Sequence, residues 1–199
     1  MRLLVAILTL ALGLAQVSPV SAQDLRRSAS QCMSKNVDTA ISGCTRIIKS
    51  SRVSRENRAV AYVNRGNAYS EQGDLNRAIE DFTKAIKINS RSLIAFYNRG
   101  NAHIRQENFD QAIIDFSRAI SLQPDHALSY SGRGSAYLGK GDTERAIAEY
   151  DKALKIDPHN TQAATNRALA YTRDGDIGGV LRNFAAVVKV FFRSLFNRQ

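Results

Sequence analysis

Apolar and small residues between Arg58 and Ile88 fall three or four positions apart in two runs. Tyr62, Gly66 and Tyr69 form the first, and Ala78, Phe82 and Ala85 form the second. That spacing puts each run on one face of a helix. The triplet Gln72-Gly73-Asp74 between them is polar, and its glycine suits a left-handed helix stop. The pattern predicts a helix over Arg58–Glu71 and an antiparallel partner over Leu75–Ile88. Gly66 and Ala78 are small where the two helices must approach most closely.

The pair recurs every 34 residues. Gly66, Gly100 and Gly134 keep the step, as do Ala78, Ala112 and Ala146, then Phe82, Phe116 and Tyr150, then Ala85, Ala119 and Ala153. A fixed period of this length means supersecondary units stacked on one continuous core. Asn89-Ser90 closes the first unit, and Gln123-Pro124 and Asp157-Pro158 close the next two. Proline there has no backbone donor and cannot continue a helix. A fourth unit from Thr161 is eroded: Ala168 replaces the glycine, Tyr171 and Phe184 hold, and Val180 and Val187 replace alanines. Terminal units of a stack are expected to be atypical.

The order large residue, glycine, aromatic, then alanine, aromatic, alanine, then proline resembles the tetratricopeptide repeat. The three copies read Tyr62, Gly66, Tyr69, Ala78, Phe82, Ala85; then Phe96, Gly100, His103, Ala112, Phe116, Ala119, Pro124; then Tyr130, Gly134, Tyr137, Ala146, Tyr150, Ala153, Pro158. Ser90 stands where proline is usual and His103 where tyrosine is usual. The resemblance implies an all-α, right-handed solenoid of antiparallel helix pairs. Its units span 58–91, 92–125 and 126–159, with a degenerate fourth over 160–199.

The same resemblance implies a concave groove lined by the first helix of each pair. Asn64, Asn98 and Asn166 each precede an arginine of the row Arg65, Arg99, Arg133 and Arg167; Gly132 takes that place in the third unit. Asn67 and Asn101 follow one turn later, with Ser135 equivalent. An amide side chain both donates and accepts, and similar asparagine ladders in the family grip the backbone of an extended peptide. Tyr97 and Arg105 are expected to add an aromatic and a charged contact. The alternative is that these asparagines bond one repeat to the next. The arginines are expected to bridge to acids such as Asp81, Asp115 or Asp151. The acid pairs Glu80-Asp81 and Glu149 with Asp151 are expected on outward faces. The family's carboxylate clamp is not supported: its places hold Val60, Val63, Ile94, Leu128 and Gly132, and only Asn67 and Asn98 remain.

The two ends differ from the middle. Residues 1–22 carry Arg2, an apolar run from Leu3 to Leu14 and the small-residue site Val20-Ser21-Ala22, the plan of a secretory signal. An uncleaved anchor is the alternative. Export implies a periplasmic or secreted protein. Cys32 and Cys44 flank the turn Lys35-Asn36-Val37-Asp38 within a divergent helical cap over 23–57, in which Ala40, Cys44 and Ile47 mimic the spacing of a second helix. In an oxidising compartment the cysteines are expected to pair; two buried thiols are the alternative. From Val180 to Phe196 an apolar arc covers about half of a helix, with Arg182, Lys189 and Arg193 opposite. It either folds back as a cap or offers a face to a partner, a second copy or an anionic membrane.

The chain has 28 basic and 18 acidic residues and a formal net charge of +10. That balance favours an acidic partner or an anionic surface, and export makes nucleic acid an unexpected target. The basic residues are scattered, so a solvated surface accounts for most of them. His103, His126 and His159 lie far apart, and no HExxH, GxSxG, Walker loop or zinc spacing occurs. No catalytic residue, metal site or cofactor is expected. The sequence points to a non-catalytic protein-binding module that holds a protein or peptide in its groove. The alternative is a membrane-associated or self-associating scaffold that uses Val180–Phe196.

Overall fold

The structure is a computed structural model that describes residues 22–196; the leader expected over 1–22 lies outside them but for Ala22. The described residues form ten helices and no strand: α1 Ala22–Cys32, α2 Val37–Lys49, α3 Arg55–Glu71, α4 Leu75–Ile88, α5 Leu93–Arg105, α6 Phe109–Leu122, α7 Ala127–Gly139, α8 Thr143–Ile156, α9 Thr161–Asp174 and α10 Ile177–Phe196. Each helix packs on its neighbours in sequence, and α3, α5, α7 and α9 also touch in order. That is the all-α solenoid of antiparallel pairs. Among the described residues, no helix is long and apolar enough to cross a membrane.

Local chemistry sets the boundaries. Ser54, Asp74, Ser92, Asp142 and Asn160 each accept a backbone N–H from three residues on, which satisfies a donor at the start of α3, α4, α5, α8 and α9. The turns inside the first, third and fourth pairs hold Gly73, Gly141 and Gly175 at positive φ. The second pair departs from this. Glu107 adopts φ 60° without being glycine, and Asn108 fails to cap α6 with its side chain.

The glycines of the repeat admit an aromatic ring. A Cβ on Gly66 would lie 2.6 Å from the Phe82 ring, one on Gly100 3.0 Å from Phe116, and one on Gly134 2.8 Å from Tyr150. These three rings are almost wholly buried. They sit between the two helices of their own pair and the first helix of the next, as the Phe82 cluster with Ala102 and the Phe116 cluster with Ala136 show.

A partly buried arginine paired with a buried acid locks each unit to the one before. Arg99 donates through Nε and Nη2 to Asp115 at 2.9 and 2.7 Å, and through Nη1 to Thr83 at 2.9 Å. Arg65 does the same with Asp81 and Thr45, and Arg133 with Glu149 and Ser117. Asp81, Asp115 and Glu149 are buried, which corrects the expectation that Asp81 and Glu149 face outward. The third acid is Glu149 rather than Asp151; Asp151 instead receives Arg167 of the following unit. Each clamp also lays its guanidinium 5.7 Å from an aromatic ring three residues earlier, Tyr62, Phe96 or Tyr130.

At the N-terminal end a disulfide joins Cys32 of α1 to Cys44 of α2. Cys44 is fully buried and occupies the place that Phe82, Phe116 and Tyr150 hold in later pairs. The link closes a short loop and contributes about 2–4 kcal/mol. Arg65 reaches back 20 residues to Thr45, whereas Arg99 and Arg133 reach back 16. The cap is thus offset by four residues, which lengthen α3 at its N-terminal end, to 17 residues against 13 in α5 and α7.

Replacing Glu107 by glycine relieves the left-handed backbone at that turn. Urea unfolding of Glu107→Gly is expected to show a gain of about 1 kcal/mol, while the same change at an exposed helical residue such as Glu80 costs about that much.

Candidate functional site

The first helices present one face inward at the spacing i, i+4, i+7, i+11. On α3 that face holds Val60, Asn64, Asn67 and Glu71; on α5, Ile94, Asn98, Asn101 and Arg105. On α7 the same places hold Leu128, Gly132, Ser135 and Gly139, and on α9 Gln162, Asn166, Leu169 and Arg173. Two clefts open along it. One of about 280 Å³ lies between the cap and the first repeat, against Cys32, Met33, Val37, Asn64 and Asn67. The other, of about 300 Å³, is lined by Asn67, Ser70, Glu71, Asn98, Asn101 and Arg105. They share Asn67 and Glu71 and so form one furrow.

The amides along the furrow do not all have the same task. Asn98 Nδ2 donates to Asn67 Oδ1 at 2.7 Å, across α5 and α3. Asn166 Nδ2 donates to Ser135 Oγ at 3.0 Å, the equivalent bond between α9 and α7. Ser135 also accepts from Tyr150 OH at 3.2 Å. Gly132 has no side chain to continue the series, so Asn101 lacks the partner that Asn67 and Ser135 possess. A Cβ on Gly132 would meet the Phe116 ring at 2.5 Å; packing of the second repeat excludes an asparagine there. Asn64 comes 3.9 Å from the Cys32 sulfur, a weak contact.

Arg105 lines the second cleft and is exposed. Its Nη1 donates to the carbonyl and hydroxyl oxygens of Ser70 at 2.6 and 2.8 Å. Arg173 repeats the arrangement, donating to the Leu138 carbonyl at 3.0 Å. Both cations sit at the C-terminal end of the preceding first helix, where the dipole favours them. Tyr97 does not line either cleft. Its ring packs edge-on against Phe116 at 5.9 Å and His126 at 5.5 Å, so the expected aromatic groove contact is a packing contact between repeats.

Three exposed apolar residues share that helix face without lining either cleft. Val60, Ile94 and Leu128 stand one turn before the amides and are 57%, 59% and 46% exposed. They keep the 34-residue step, a visible signal that drew notice only as a mismatch to a carboxylate clamp. The cleft-lining residues that sequence reasoning missed include Met33, Ser70 and Glu71. His103 lies away from it, its Nε2 3.9 Å from Asp115 and its Nδ1 without a hydrogen-bond partner. Burial pushes its pKa down, which keeps the ring neutral near neutral pH. Among the described residues no cluster of His, Cys, Asp and Glu is arranged to hold a metal ion.

Two family models, both described as tetratricopeptide repeat, match residues 59–92 and 100–186. No curated protein matches the chain. Among solved structures it is similar to MamA, at 24% identity and a TM-score of 0.72 over 88% of this chain and 97% of that one. It is also similar to MamA 41-end from Desulfovibrio magneticus RS-1, at 20% identity and a TM-score of 0.75 over 86% and 95%. At these identities the likeness concerns the fold. The second TPR domain of human RPAP3, in complex with the HSP70 peptide SGPTIEEVD, is 26% identical with a TM-score of 0.57, over 59% of this chain and 98% of that one.

The two kinds of amide separate on substitution. Asn98→Ala removes an interhelical bond and is expected to lower stability by about 1 kcal/mol in denaturant unfolding. Asn101→Ala is expected to stay within about 0.5 kcal/mol of the parent.

Proposed function

Because the chain carries tetratricopeptide repeats over more than half of its length, we propose that it is a non-catalytic protein-binding module acting outside the cytoplasm. Its furrow takes an extended segment or a helix of another protein. The observation that carries this reading is the rail of Val60, Ile94 and Leu128. Three large apolar side chains at one position in three successive repeats stay in water, beside an amide, Asn101, that lacks the interhelical partner its equivalents have. Apolar side chains of the ligand rest on the rail, and Asn101 bonds its backbone with both donor and acceptor.

Arg105 and the net charge of +10 favour acidic residues flanking the bound segment. The relative in complex with an HSP70 peptide supports peptide capture by this fold. A free terminal carboxylate is not the determinant proposed here, because apolar residues and Gly132 occupy the places a carboxylate clamp would use. Export rests on the leader-like residues 1–22 and on the paired cysteines, which suit an oxidising compartment.

A displayed library of random peptides, panned against the chain from Ala22 onward, tests the reading. Selected peptides are expected to carry spaced apolar residues and to bind equally well with an amidated C-terminus. Ile94→Glu and Asn101→Ala are each expected to weaken them about tenfold or more, with helical circular dichroism unchanged. Peptides that bind both variants at full strength, or that need a free carboxylate, would refute it.

A further inference from the structure

The furrow carries a charge that its own fold leaves unanswered. Glu71 is exposed and lines both clefts, and it is the one acid among the residues that line them. Among the described residues no Lys, Arg or His pairs with it. Arg105 lines the second cleft too, yet its Nη1 donates to the two oxygens of Ser70, the residue before Glu71.

The helix itself gives no reason for an acid there. Glu71 is the last residue of α3, where unsatisfied carbonyls make the helix end negative. A carboxylate is disfavoured at that place and a cation favoured. The equivalent residues of α5 and α9 follow the rule: Arg105 and Arg173 each bond a carbonyl at the end of the preceding first helix. Gly139 of α7 is neutral. Glu71 alone breaks the pattern, and no cation of the chain compensates it. Conflicts of this kind between local preference and sequence concentrate at places that are used.

The neighbours of Glu71 define what fits beside it. Met33 holds the matching place in the cap: it stands three residues before Asn36, the N-cap of α2, as Glu71 stands three before Asp74, the N-cap of α4. Met33 is 73% exposed, and with Val37 and Ala40 it gives the first cleft an apolar wall. The disulfide of Cys32 to Cys44 ties the end of α1 to α2 and so holds that wall in place. The row Met33, Glu71, Arg105 thus offers an apolar, an acidic and a basic contact in turn.

We propose that Glu71 receives a cation of the bound segment, either a lysine or arginine side chain or a free amino terminus, while an apolar residue next to that cation sits in the cap cleft. The inference rests on the furrow reading above and adds the chemistry of its ligand. An ammonium or guanidinium on the Glu71 carboxylate makes charge-assisted hydrogen bonds. Arg105 meets an acid further along, so the charges of the ligand have an order along the stack. A pair this exposed adds modestly to affinity; it selects among segments that the apolar contacts would otherwise hold alike.

Panning the random peptide library against the chain from Ala22 onward and against Glu71→Gln and Glu71→Lys tests this, with selected peptides titrated one by one. Parent-selected peptides are expected to place Lys, Arg or the free amino terminus beside an apolar residue. Glu71→Gln is expected to weaken them about three- to tenfold, with a smaller loss at high salt. Glu71→Lys is expected to select peptides with Asp or Glu in place of the cation. Acetylating the peptides assigns the cation: loss of binding means the amino terminus, and full binding means the side chain. The urea midpoint of Glu71→Gln is expected to be unchanged or higher, because the acid is disfavoured at the helix end. Peptides that depend on Ile94 and Asn101 but bind Glu71→Gln at full strength would overturn the cation site alone. Weaker binding with a lowered urea midpoint would also overturn it and make Glu71 a structural residue. A chain that selects no peptide fails the furrow reading and this one with it.

Discussion

The clamp between a partly buried arginine and a buried acid is the interaction on which the rest of the stack depends. One guanidinium touches three helices: its own first helix, the acid on the second helix of its pair, and a hydroxyl on the second helix of the preceding pair. A buried ion pair is tolerated when its hydrogen bonds are filled, and is costly when half is removed. The residue after each clamp arginine is the glycine that admits the core ring in the three full repeats. Charge pairing and close approach are therefore set in adjacent residues. Together they fix how far each first helix turns from the last, and so which side chains reach the furrow.

The two ends show what happens when that unit is altered. At the cap a disulfide replaces the aromatic ring, and an α3 longer by four residues than α5 carries the offset. At α9 and α10 the acid becomes Asn183 and the glycine becomes Ala168. A neutral acceptor still receives Arg167, because Asp151 supplies the charge. The ring, Phe184, loses its slot and is 68% exposed. The same substitutions that end the regular stack thus leave a face of α10 in water.

Much of this was legible in the residues. The 34-residue step, the turn glycines and the antiparallel pairs follow from spacing alone. The burial of Asp81 and Glu149 was not, because an acid on a helix reads as solvent-facing until its arginine is placed sixteen residues earlier in the neighbouring helix. That separation of Arg65 from Asp81, Arg99 from Asp115 and Arg133 from Glu149 was the available signal. The tasks of the asparagines were hidden for a related reason. Whether Asn98 serves packing and Asn101 does not depends on Gly132, and only the ring of Phe116 explains that glycine. Tyr97 was misplaced because one helical position separates the furrow face from the face that packs on α6 and α7.

The central claim is that Arg99 and Asp115 form one cooperative clamp rather than two independent polar residues. A double-mutant cycle of Arg99→Ala and Asp115→Ala, read by urea unfolding, tests it most directly. Arg99→Ala should lose about 3–5 kcal/mol, since it leaves the buried Asp115 charge alone, and Asp115→Ala should lose less, since Arg99 keeps partial access to water. The double variant should lose less than the sum by about 2 kcal/mol or more. Small and additive losses would contradict the account, and would mean that packing of Phe116 against Gly100 holds the repeats together without the ion pair.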